Sequence, residues 1–275
     1  MTSAARPFLS VFSARFLMML QYRSAAFAGL VTQVWWGAII TMSLTAFYAS
    51  GHGNPSMTLA EVITYTWLGQ AFLALLPWNV DPEITAMTRS GNVAYERLRP
   101  VDTYLYWLAR AAAWRAAATL LRAVPLIATT ALLLPLIGLK DWALRPPPTV
   151  AALTYFAISM AAVLAMSAAI TTILNISVVW TISGHGIVVL TNSLVLILSG
   201  QIVPLVLFPD WAQTMLLLQP LAGLADIPRR IYCGNLAGAA ALTGIGLQVL
   251  WTLVLVVVGR ALMERTMRHI QVQGG

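Results

Sequence analysis

Between Arg23 and Pro55 the chain runs about thirty residues without one charged side chain, and comparable stretches recur five more times. A segment of that kind has no wet face to offer as a soluble helix. About twenty mostly apolar residues suffice to cross a bilayer as a helix, where every backbone polar group must be satisfied internally. The composition agrees: 59% of residues are hydrophobic and only 9% charged, against roughly a quarter charged in a soluble domain. The chain reads as an all-α, polytopic membrane protein forming a single transmembrane domain over 1–275. A nucleotide-binding or catalytic domain of roughly a hundred residues would have to be another chain.

The net charge of +7 comes from sixteen Lys and Arg against nine Asp and Glu. This is the excess that cytoplasmic flanks of membrane helices carry, not a nucleic-acid footprint. Cys233 is the single cysteine, which excludes an intrachain disulfide or a cysteine-based metal cluster. His52, His185 and His269 fall in separate loops or tails, so no metal site assembles from them.

Residues 7–22 place Phe8, Val11, Phe12, Phe16, Met19 and Leu20 at helical spacing, interrupted by Arg15. That pattern predicts a helix lying in the interface rather than a signal peptide. Six spans are then expected, over 24–49, 59–80, 116–139, 149–173, 187–207 and 236–259. Residues 81–115 form the most charged segment and are expected to hold short helices. Pro146, Pro147 and Pro148 stop and restart the chain between the third and fourth spans. Residues 208–235 are broken by Pro209, Pro220 and Pro228 yet too apolar for an ordinary loop. With both termini inside, eleven basic residues collect on the cytoplasmic side and four outside, namely Lys140, Arg145, Arg229 and Arg230, leaving Arg122 within a span. The positive-inside rule favours this orientation.

Two segments stand out. Between the second and third spans lie Asp81, Glu83, Arg89, Glu96, Arg97, Arg99 and Asp102. Mixed charges on short helices suit a socket on a partner protein, and equally an ordinary solvated loop. Past the fifth span, Ser199-Gly200-Gln201-Ile202-Val203-Pro204-Leu205 breaks the helix, and Phe208-Pro209-Asp210-Trp211 follows where interfacial aromatics are favoured. Apolar backbone that does not cross straight must be buried in protein or line a cavity, so a half-buried outer hairpin is expected, with Gly200, Gln201, Pro204, Phe208 and Pro209 as a candidate gate. Gln33, Trp35 and Trp36 of the first span either face a pathway or only pack. Arg122 is costly at a helix centre and so a candidate for the substrate path, unless it snorkels toward the interface.

This order of elements resembles the permease subunit of an ATP-binding-cassette exporter of the type-2 (ABC-2) class. Tyr95-Glu96-Arg97-Leu98-Arg99-Pro100-Val101 resembles the Leu-Arg-Pro element of one bacterial subgroup. The run Ser199 to Leu205, with Phe208-Pro209 and Ile227-Pro228 to Gly234, is similar to that subgroup's second signature. The chain departs from the pattern at Tyr95-Glu96, where an apolar pair is more usual. The resemblance implies a pathway of two permeases, this chain twice or with a homologue, in a bacterial inner membrane. It implies a separate ATPase, in two copies, that holds ATP and magnesium and engages the 81–102 segment. The chain itself would not be an enzyme: no Gly-x-x-x-x-Gly-Lys-Ser/Thr loop occurs, and its one lysine is Lys140. An ion-coupled secondary transporter is the alternative; it wants an acid in mid-membrane, and Glu61 and Asp81 fall only at the ends of the second span. Ser183-Gly184-His185-Gly186 reads as a turn, not a catalytic pair.

Overall fold

The computed structural model describes residues 6–21, 23–51, 56–181 and 185–269. Among them all regular structure is helical, in the order α1 (Arg6–Met19), α2 (Arg23–Ala49), α3 (Leu59–Ala71), α4 (Pro82–Arg89), α5 (Thr103–Ala128), α6 (Leu134–Leu136), α7 (Val150–Thr181), α8 (His185–Leu198), α9 (Asp210–Leu218), α10 (Ala222–Tyr232) and α11 (Gly238–His269). Among the described residues four stretches are long and apolar enough to cross a membrane: Phe27–Ala49, Thr103–Leu136, Val150–Thr181 and Gly238–Arg268; Gly186–Leu198 is apolar but shorter. Ser183 and Gly184 of the polar turn, and His52, lie outside the described residues.

α7 is the central post. More than half of its apolar window is buried, 56%, against 17% for α2 and for α11; α5, α10 and α11 pack around it. Its core side chains Val163, Met166, Ile170 and Leu174 meet Leu75, Leu76, Val195 and Leu224 from other elements. α2 attaches through a narrow stripe. Gln33, Gly37 and Thr41 are its buried positions, spaced by four residues and so on one face. Gly37 lies flat against the Trp67 ring of α3, where a side chain would collide with it. Small residues at a helix seam allow this close approach in membranes.

The helix boundaries depart from the expected spans for identifiable reasons. The helix over 59–80 stops at Ala71, gives one 3-10 turn at Leu73–Leu75, and continues extended to Asp81; Pro77 supplies no N–H to prolong it. The helix over 187–207 ends at Leu198, because Gly200 takes φ +78°. In contrast, the third span begins at Thr103 rather than 116, so the last third of the charged segment is membrane helix. It is capped by Asp102, whose Oδ1 accepts the Leu105 N–H at 2.8 Å. Its C-terminal end passes through a π turn at Thr129–Leu133 between Pro125 and Pro135, the usual cause of such irregularity. α7 runs on to Thr181 and α11 to His269, past the ends expected at 173 and 259.

Candidate functional site

Three polar constellations interrupt the apolar bundle. The first joins the N-terminal helix to the charged segment. Asp81 caps α4, its Oδ1 accepting the Glu83 N–H at 2.9 Å, with Pro82 in the first turn where a missing N–H costs nothing. Arg15 of α1 donates to Glu83 at 2.6 Å and to both Asp81 oxygens at 3.3 Å. Arg110 of α5 reaches Asp81 at 3.0 Å and also binds Glu83. The Asp81 N–H donates to Asn175 of α7 at 2.8 Å. Four helices therefore meet at one pair of carboxylates. Partial burial pushes the Glu83 carboxyl up, but the guanidinium groups of Arg15 and Arg110 outweigh it and hold the group below its ordinary value.

Within the charged segment the side chains divide into two sets. Glu96 is 3% exposed; it accepts from Arg99 at 3.0 Å and from the Trp107 indole at 3.2 Å. Arg99 in turn donates to Tyr106 Oη at 2.7 Å and sits over its ring. Asp102 pairs with Arg260 of α11. Asp81, Glu83, Glu96, Arg99 and Asp102 thus bind the chain's own elements. Arg89 and Arg97 are exposed, with Tyr95 62% and Leu98 76% exposed beside them. An exposed leucine and tyrosine between arginines, on a rigid 3-10 segment at Asn92–Leu98, is the composition of a protein contact. The sequence placed seven charges there alike; which of them face out depends on tertiary partners.

The second constellation lies at the break after α8. Asp226 of α10 is fully buried. Its Oδ1 accepts the Leu205 N–H at 2.9 Å and shares the Tyr65 hydroxyl, 2.9 Å away, with the Gly200 carbonyl at 2.7 Å. Its Oδ2 pairs with Arg230 at 3.4 Å. Gln201 donates to the Gly69 carbonyl at 3.0 Å and accepts from Arg229 at 2.8 Å, and Arg229 lies over the Tyr65 ring. A side chain at Gly200 would be doubly opposed, by its positive φ and by Tyr65 Oη only 2.7 Å from where a Cβ would stand. Of the candidate gate, Gly200, Gln201 and Pro204 are buried in this knot, Phe208 is half-buried and Pro209 exposed. The sequence missed Asp226 and Tyr65, and read Arg229 and Arg230 as loose outer charges. Both are in fact buried, at 3% and 8% exposure, because they satisfy the carbonyls and carboxylate that the helix break leaves behind.

The third is the seam between α2 and α5. Gln33 is 3% exposed, and neither its amide nitrogen nor its oxygen has a partner among the described residues. The Arg122 guanidinium lies against Gly29. Trp35 and Trp36 instead face outward, 68% and 55% exposed. Arg115, read as a flanking cytoplasmic charge, is 4% exposed; it donates to the Asn79 carbonyl at 2.9 Å and to Thr171. It thereby closes the extended stretch after α3, as Ser167 does at Leu75.

A bundle of apolar helices clamped at one end by ion pairs and at the other by a buried knot around broken helices defines a multi-pass membrane transport component. The sequence matches the family described as ABC-2 family transporter protein over residues 34–274, and the chain belongs to that family. It is a permease component of an ABC transporter, a part not itself catalytic, and membership implies association with an ABC ATPase. A comparison with curated proteins gave no match.

Proposed function

We propose that this chain is one half of the transmembrane pathway of an ATP-driven exporter, paired with a second permease, identical or homologous, and moved by a separate ATPase that binds ATP and magnesium. The carrying observation is the outward face Arg89, Tyr95, Arg97 and Leu98, backed by Glu96 turned inward and by Arg99 and Asp102 paired to the chain's own residues. A rigid, partly apolar projection suits transmission of force from a motor protein. The α1–α4–α5 ion cluster would carry that movement to the spans, and cargo would leave past the knot at Gly200 and Asp226. The excess of arginine on this side of the chain supports a cytoplasmic position for it and for both termini, as in a bacterial inner-membrane protein.

Purification of the chain from its own membrane in mild detergent, with mass spectrometry of what accompanies it, tests the reading. A stoichiometric ATPase is expected, and the presence or absence of a second permease decides homodimer against heterodimer. A chain that arrives alone would sink the ATP-driven reading and leave the ion-coupled transporter in its place.

A further inference from the structure

The α2–α5 seam holds more unused hydrogen-bonding capacity than any packing role requires. Arg122 has no hydrogen bond or ion pair among the described residues, and the nearest atoms to its guanidinium belong to Gly29: a Cβ there would stand 2.9 Å from Nε and 3.0 Å from Cζ. Gln33 follows Gly29 by one turn on the same buried stripe of α2. Its amide can give two hydrogen bonds and take two, and it makes none among the described residues. Thr119, three residues before Arg122 and so on the same face of α5, has a buried hydroxyl that does not even bond back to its own helix. One cation, one amide and one hydroxyl, the last two each about one turn along its helix from the Gly29–Arg122 contact, thus lie on this seam with no side-chain partner among the described residues.

An ion pair with the carboxylate cluster does not account for the arginine. Arg122 stands twelve residues past Arg110, about 18 Å along the helix, beyond reach of the carboxylates at Asp81 and Glu83. Gly29 in turn is six residues into α2, about 9 Å from its start. The half-buried guanidinium therefore sits beside the second turn of α2, near the depth to which a lipid headgroup can be drawn from the leaflet beside α1. Just beyond it Leu30, Val34, Ala123 and Leu126 close the seam with a dry apolar floor. On the open side Trp36, next to Gln33 around α2, faces the lipid phase.

Resting on the permease reading and extending it to the cargo, we infer that this seam binds the phosphate headgroup of an anionic amphiphile. The donors Arg122, Thr119 and the Gln33 amide nitrogen match phosphate oxygens, and the Gln33 oxygen can accept from a phosphate O–H or a neighbouring hydroxyl of the headgroup. Occupation by an anion offsets the desolvation of Arg122, which is otherwise a standing cost. The apolar tail would lie along the outer faces of α2 and α5, where Trp36 and Val124 are exposed. The phosphate can arrive on a resident phospholipid or on the transported molecule.

The test is binding of dodecyl phosphate to the full chain in phosphatidylcholine nanodiscs, with dodecanol as the uncharged control. Dodecyl phosphate should bind about tenfold more tightly or better, the gain expected of a charge-assisted hydrogen-bonded pair. Arg122→Leu should remove that preference while leaving Tm unchanged or higher, since it deletes a half-buried charge that has no ion pair among the described residues; Gln33→Leu should weaken it, and Arg122→Lys should keep part of it. Equal affinity for the two amphiphiles, or an unchanged preference in Arg122→Leu, overturns the site. So does a fall in Tm in both Arg122→Leu and Gln33→Leu that tracks the loss of binding, because the residues would then be structural. The source is read separately. An anionic phospholipid that copurifies with the wild type and not with Arg122→Leu marks a resident lipid, whereas dodecyl phosphate that accelerates ATP hydrolysis by the assembled complex marks cargo. The binding assay contains no ATPase, so its failure leaves the permease reading standing, and absence of a motor would leave the binding result intact.

Discussion

Glu96 turns inward to Trp107 and Arg99 while Arg97 and Leu98 are exposed, so substitutions at adjacent positions should separate folding from coupling. Glu96→Ala strips a buried indole and a guanidinium of their acceptor; it should cost about 1–3 kcal/mol and appear as a lower Tm in detergent. Leu98→Asp should leave Tm within a degree or two yet abolish copurification of the ATPase; a fully retained ATPase would remove the docking assignment from this face. At the outer knot, Asp226→Asn leaves Arg230 buried without its counter-ion. A loss of about 3–5 kcal/mol is expected from breaking one side of a buried pair, seen as thermal aggregation at lower temperature. Arg89→Gln, at an exposed arginine with no hydrogen bond or ion pair among the described residues, should be silent for stability.

At the scale of elements, α1 packs along α5 and is also tied to α4 by charge, and that charge gives the contact a pH dependence of known sign. Glu83 has a lowered value in the folded chain, so its contribution is fully present above the ordinary glutamate range, about 4.3. It is lost only as pH falls through the lowered value. Stability of the α1 contact, followed by protease cleavage near Arg15, should therefore be flat from neutral down to about pH 5 and fall at more acid pH; Glu83→Gln should abolish the acid step. The glutamate side chain is 53% exposed, so the effect is screened to at most about 1 kcal/mol. The outer hairpin offers a second test. Thr214 on α9 is exposed, and a cysteine there should react with an impermeant thiol reagent from outside. Cys233 should stay silent, because burial and then the nearby Glu61 carboxylate push its thiol up to about 12. Labelling of Thr214→Cys only after the cytoplasmic side is opened would invert the proposed topology.

For the whole molecule, the division of labour among helices follows from burial. α7 is wrapped on most sides, whereas α2 and α11 keep broad apolar faces, including Trp35, Trp36, Leu253 and Val257, turned outward. Those faces are free to meet lipid, and in the proposed function one of them would meet the second permease. Alkaline phosphatase joined after Lys140 should be active and joined after Arg89 inactive; the reverse pattern would place the charged segment, and with it the motor, on the other side.

The chain's chargeless stretches alone determined its class, because a backbone in lipid must form helices or a closed barrel and apolar runs of about twenty residues or more fit helices, not barrel strands; short proline- and glycine-bearing runs marked both breaks. Periodicity could not say where the helix over 103–136 begins, because Arg110 and Arg115 look like loop charges until Asp81 and Asn79 are brought to them. Nor could it separate Glu96 from Arg97, or find Asp226 and Tyr65 across 161 positions of sequence. A buried polar group is stable only with its partner, and that partner is supplied by another helix. What the sequence could name was the material that belongs in a membrane; only the tertiary structure decided which polar residues hold the fold shut and which, at Arg122 and Gln33, are left open for something else.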